Sequence, residues 1–126
     1  MCAKLNRTGD LMLIIKTDYR EGIMFVRLKG ELTKDSIIKL DKKVTKRVKS
    51  LSIHNLVLNV SNLKDIDYKG INRLFYNYEM IKENNGSIML CGNNINIDKR
   101  LKKSRLLKYI KEISDELCAM KILNER

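Results

Sequence analysis

The spacing of apolar positions changes several times along the chain, and each change marks an element. The runs "LMLIIK" (Leu11–Lys16) and "GIMFVRLKG" (Gly22–Gly30) are rich in β-formers and flank "TDYREG", with Gly22 as the turn glycine. Together they predict an antiparallel hairpin. In the second run Met24, Val26 and Leu28 share one face, and Ile23 and Phe25 share the other. From Ile37 the spacing lengthens. Ile37, Leu40, Val44, Val48 and Leu51 recur in steps of three and four with lysines between them, predicting a helix over about Asp35–Ser50 capped by Asp35 or Ser36.

"HNLVLNV" (His54–Val60) is almost continuously apolar, as suits a parallel strand covered on both faces. A second helix follows, with Ile71, Leu74, Phe75, Tyr78 and Ile81 as its stripe. "ENNGS" ends it, with Gly86 in the place of a left-handed terminator. "SIMLCG" predicts a buried strand, "NINIDKRLKKS" a short helix, "LLKYIKE" a weak last strand and "SDELCAMKIL" a capped terminal helix. The order β-β-α-β-α-β-α-(β)-α predicts an α/β fold. Its sheet is mixed but mostly parallel, with an N-terminal antiparallel hairpin and about four helices.

Composition narrows the class. A chain of 126 residues, 44% hydrophobic and 33% charged, has room for one compact unit. Proline is absent, and no linker, repeat or low-complexity tract divides the chain. The apolar run Leu11–Ile15 is shorter than the ~7–15 residues of an export signal core, and no segment reaches the ~20 apolar residues of a membrane span. A cytoplasmic location without membrane association is expected. Cys2, Cys91 and Cys118 are odd in number and widely spaced, and His54 is the single histidine. That set favours reduced, ordinary thiols over a zinc site or a disulfide framework.

The net charge of +11 raises nucleic-acid binding as a function. The basic residues are spread along the chain and interleaved with acids, and lysine abundance accompanies heavy use of Ile and Asn, as AT-rich coding produces. The densest run, Asp98–Lys108, has no aromatic interleaving and reads as a solvated helix face. Nucleic acid is therefore disfavoured as a partner. No P-loop, GxGxxG, GxSxG or HExxH motif is present, and His54, at the start of an apolar strand, has no obvious acid or nucleophile partner in its local sequence. Nothing argues for an enzyme, a metal or a cofactor.

One junction invites a functional reading. In "LKDIDYKGINRLF" (Leu63–Phe75), Asp67 can cap the helix that follows, and Gly70 permits tight packing in its first turn. The helix dipole favours a negative group there, so a hydroxyl directly after the aspartate would be well placed to carry phosphate. An ordinary capped junction fits the same residues.

Four collinear segments resemble the anti-sigma factor antagonists, the STAS-domain family that regulates bacterial sigma factors by partner switching. The resemblance covers about residues 12–124 and implies a single STAS-like domain with that core. "VRLKGEL" (Val26–Leu32) resembles the family's "hydrophobic-x-GEL" strand end. "LVLNVSNLKDIDYKG" (Leu56–Gly70) resembles its "LDLS-x-V-x-F-[IM]-D-S-S-G". "NNGSIMLCG" (Asn84–Gly92) and "KKSRLLKYIKE" (Lys102–Glu112) resemble its later segments. The resemblance implies a non-enzymatic regulator whose partner is an anti-sigma factor of the kinase type, or another STAS-partner protein. In that family an anti-sigma kinase phosphorylates the serine after the aspartate, and the phosphate blocks binding. Carried over by position, Asp67 matches the aspartate and Gly70 the glycine, Tyr68 stands at the phosphorylated serine, and Lys69 replaces the second serine. A serine kinase cannot use Tyr68, whose phenol sits on a rigid ring farther from the backbone.

The expected contact surface combines Glu31 and Thr33 of the Gly30–Asp35 loop, the Asp67, Tyr68, Lys69 and Gly70 junction, and Asn72, Arg73 and Tyr76 of the following helix. Binding without serine-phosphate gating is expected, by a monomer or weak dimer. A STAS scaffold or small-ligand sensor is the alternative, and a basic nucleic-acid binder ranks below both.

Overall fold

The computed structural model describes residues 13–125. Strands β1 (Leu13–Arg20) and β2 (Ile23–Leu32) form an antiparallel hairpin closed by a two-residue turn, Glu21–Gly22. Both turn residues have positive φ, 53° and 77°, which matches the right-handed twist of the strands. The strand therefore takes in most of "TDYREG", leaving a tighter connection than the sequence predicts.

Helix α1 is continuous but not uniform. It has α-helical geometry over Ile37–Leu40 and Lys46–Ser50, around a π-helical turn at Asp41–Thr45. The wider π turn adds less rotation per residue, so Leu40, Val44 and Val48, four residues apart, stay on one line; all three are fully buried. Leu51 departs from the predicted stripe. It follows the last helical residue, where the chain turns, and is 61% exposed.

Strand β3 runs from Asn55 to Ile66 and so absorbs Leu63–Ile66, the first part of the stretch read as a junction. It pairs in parallel with β2, and its register gains one residue between Asn59 and Asn62 and another between Leu63 and Asp65. Such bulges bend a strand end and re-aim its side chains. Here they bring the ends of β2 and β3 to the start of α2 (Tyr68–Glu83).

The α2 helix closes with paired backbone bonds, Gly86 N–H to Ile81 C=O and Asn85 N–H to Lys82 C=O. The left-handed residue is Asn85, φ 59°, and not Gly86. Gly86 serves by its lack of a side chain, since a methyl there would overlap the backbone of His54. His54 itself is exposed, just ahead of β3.

Strand β4 (Ser87–Cys91), α3 (Asp98–Ser104), β5 (Lys111–Ile113) and α4 (Glu116–Asn124) complete the chain. "LLKYIKE" gives a 3-10 turn at Leu106–Lys108 before the short strand, because Arg105 in the left-handed region breaks the helical run. The sheet order is β1-β2-β3-β4-β5, parallel except for β1–β2.

Both faces of the sheet are covered, as the alternation in β2 requires. Met24, Val26 and Leu28 point into the larger core with residues of α1, α2 and α3. Ile23 and Phe25 join Val57, Met89 and Cys91 beneath Ala119 and Leu123 of α4. Continuing that second face, Arg27 donates two hydrogen bonds to Glu116 at 2.8 and 2.7 Å, and Asn59 donates a third at 2.8 Å. Apolar burial and this charged clamp together seat α4.

Candidate functional site

The junction is assembled from three chain segments. Asp67 has extended backbone geometry and caps α2, its Oδ1 accepting the Gly70 N–H at 2.8 Å. Its Oδ2 accepts the Lys34 N–H at 2.9 Å, and its own N–H donates to the Leu32 carbonyl at 3.2 Å. One residue thus ties the β2–α1 loop to the start of α2. Gly70 is buried against the end of β2, where a methyl would overlap the Leu32 carbonyl.

The β2–α1 loop is held from within by Ser36, which is buried. The Ser36 hydroxyl accepts the Thr33 N–H at 2.9 Å and donates to the Glu31 carbonyl at 2.7 Å. It makes no side-chain cap on α1, so its task is to shape the loop. Glu31, at the end of β2, is exposed, and Thr33, in the loop, is half-buried.

Tyr68 projects from the first turn of α2 with 72% of its surface exposed. Lys69 and Asn72 are exposed beside it. One turn on, Arg73 pairs with Asp41 of α1 at 3.5 Å and lies 5.7 Å from the ring centre of Tyr76, which is 39% exposed. On the other side of α2, a groove of about 620 Å³ opens between α2 and α3. Tyr68 and Asn72 form one lip, Ile71 and Phe75 the floor, and Arg100 and Lys103 the opposite wall. Arg100 is fixed there by Asp65 at 2.8 Å and by the Ile66 carbonyl at 2.7 Å.

Glu31, Thr33, Asp67, Tyr68, Lys69, Gly70, Asn72, Arg73 and Tyr76 therefore fall on two adjoining segments joined through Asp67. Gly70 is the member that lies buried, and it acts by allowing close approach. The pattern of residues gives no site role to Lys34, Asp41, Asp65 or Arg100, and gives Ser36 a different one, that of a helix cap. Their signals were weak, because each contributes through a partner more than 30 residues away or through backbone atoms.

Among the described residues no group of three or more His, Cys, Asp or Glu side chains is arranged to hold a metal. The shifted acids sit elsewhere. Hydrogen bonds from Arg27 hold Glu116 below the usual carboxylate range, and those from Lys102 and Asn93 do the same for Asp98. Burial pushes the Cys91 thiol up to about 11. None of the three touches the junction.

The STAS domain model matches residues 15–119, from the middle of β1 into α4. The chain belongs to the STAS-domain family. This STAS domain is 27% identical over 112 residues to the anti-sigma F factor antagonist of Paenibacillus polymyxa, an alignment covering 86% of this chain and 92% of that one. Its fold is similar to that of a candidate anti-sigma factor antagonist from Thermotoga maritima (TM-score 0.81, 15% identity, 87% and 94% of the two chains). It is also similar to the Bacillus protein SpoIIAA in its phosphorylated form (TM-score 0.69, 14% identity, 86% and 99% of the two chains). These relatives are regulators, and the mixed five-stranded sheet with four helices is the STAS fold. Among the described residues no helix is long and apolar enough to cross a membrane.

Proposed function

We propose that this STAS domain is a non-enzymatic regulator that binds an anti-sigma factor through the β2–α1 loop and the first two turns of α2. The supporting observation is the two-sided use of Asp67, which fixes loop and helix as one rigid surface and leaves Tyr68 projecting from it. An exposed aromatic on a rigid base is the kind of anchor that dominates protein interfaces. Arg73 and Tyr76 extend the surface along α2, and Glu31, Thr33, Lys69 and Asn72 complete its outline. We place this activity in the cytoplasm.

The same reading makes binding independent of serine phosphorylation at the junction. Tyr68 stands directly after the capping aspartate, where a relative that is phosphorylated would carry a short hydroxyl. Its ring takes the phenol away from the backbone, and Lys69 adds a cation beside it. Incubation with the cognate anti-sigma kinase and ATP, followed by phosphosite mapping and a binding titration, tests the proposal. Unchanged affinity with no junction phosphate is the expected result. Stoichiometric phosphate at Ser61 or another serine, with loss of binding, would overturn it.

A further inference from the structure

The groove between α2 and α3 runs on beyond the surface assigned to the anti-sigma factor. Its first part, of about 620 Å³, is followed by a hollow of about 450 Å³ that shares Phe75 and Ser104 with it and reaches Tyr78, Arg105 and Tyr109. The shared lining makes the two one trough. α2 lines it from Tyr68 to Glu79, so at ~1.5 Å per residue the trough is about 16 Å long, which is about three helical turns.

Its two sides differ chemically. Tyr109 packs edge to face against both Phe75 and Tyr78, with ring centres 5.6 Å apart in each pair, and so fixes an aromatic floor. The α3 side is cationic. Arg100 is occupied by Asp65, and Asp98 pairs with Lys102 at 3.1 Å. Lys103 and Arg105 form no ion pair among the described residues, and both are exposed. On the α2 side, the Asp67 carboxylate is already engaged by two backbone N–H groups, and Glu79, at the far end, is the other acidic lining residue.

Resting on the partner-binding reading above, we infer that this trough receives an acidic amphipathic helix of a protein partner. Apolar side chains at i, i+3 or i+4, and i+7 enter between α2 and α3, and carboxylates face Lys103 and Arg105. This is recognition of a helix in a groove, with charge complementarity setting orientation and excluding other partners. A basic helix would meet like charge along α3. A single nucleic-acid strand needs a succession of open aromatic faces for stacking. Packing against Tyr109 occupies the rings of Phe75 and Tyr78 and leaves Tyr68, at the lip, separated from the exposed part of Tyr109.

The test uses the whole chain and a fluorescein-labelled helical peptide of about 12 residues, with leucines at i, i+4 and i+7 and glutamates at most other positions. Anisotropy reads affinity, and amide chemical shifts locate the site. Saturable binding is expected, with shifts at Ile71, Phe75 and Tyr109. The Lys103→Glu, Arg105→Glu double variant should lose about tenfold in affinity, and Lys42→Glu on α1 much less. Equal losses in the two variants, shifts confined to other surfaces, or tighter binding of a thymidine oligonucleotide by the same residues would each overturn the inference. The peptide assay needs no anti-sigma factor. A peptide that fails to bind a protein still capturing its anti-sigma factor removes the trough alone, and the reverse pattern removes the anti-sigma reading alone.

Discussion

Asp67 accepts the backbone N–H of Lys34 at 2.9 Å across 33 positions of sequence, while its other carboxylate oxygen caps Gly70. Because both oxygens are used, Asp67→Asn keeps one acceptor and Asp67→Ala keeps none. Chemical denaturation should find Asp67→Ala destabilised by about 1–2 kcal/mol and Asp67→Asn by about half that. Faster amide exchange at Lys34 should accompany both.

Gly70→Ala tests the close approach on which the junction rests. The added methyl meets the Leu32 carbonyl, a backbone group that no rotamer change can move. Destabilisation by about 1–3 kcal/mol is expected, measured as a lower urea midpoint at unchanged slope.

The Glu116–Arg27 clamp gives stability a pH dependence. Arg27 holds the folded-state pKa of Glu116 below its ordinary value, so the contribution is full above the ordinary carboxylate range. It is lost as pH falls through that range and on through the folded-state value. At neutral pH Glu116→Gln should cost about 1 kcal/mol, a figure discounted because the Arg27 side chain is 39% exposed. The gap between variant and wild type should narrow as the titration proceeds below about pH 4.

Cys91 should resist thiol reagents in the native state. It is buried beneath α4, and its pKa is pushed up to about 11, so little thiolate forms near neutral pH. Peptide mapping after iodoacetamide treatment should find Cys91 unmodified in the folded protein and modified in denaturant.

Much of the fold was legible because burial imposes period. The alternation at Ile23–Leu28 assigned residues to two cores correctly, and the stripe from Ile71 to Ile81 placed α2. Features set by backbone geometry were not legible. The π turn in α1 and the two extra residues in β3 leave no periodic mark, and the left-handed residue at the end of α2 is Asn85 beside the glycine that composition favours. At the site, Asp67 and Gly70 stood out by type and position. Their partners, Lys34 N–H and the Leu32 carbonyl, are backbone atoms whose residue identities carry no signal.

The central claim is that the surface around Tyr68 binds the anti-sigma factor and that no serine phosphate gates it. Calorimetric titration of that factor with wild type, Tyr68→Ala and Tyr68→Ser, each before and after incubation with kinase and ATP, tests both parts together. The account predicts a loss of about tenfold or more for Tyr68→Ala. It also predicts wild-type affinity indifferent to ATP treatment, and ATP-sensitive binding only where Tyr68→Ser restores a short hydroxyl. Wild-type affinity in Tyr68→Ala, or wild-type binding abolished by phosphate on a serine, would contradict it.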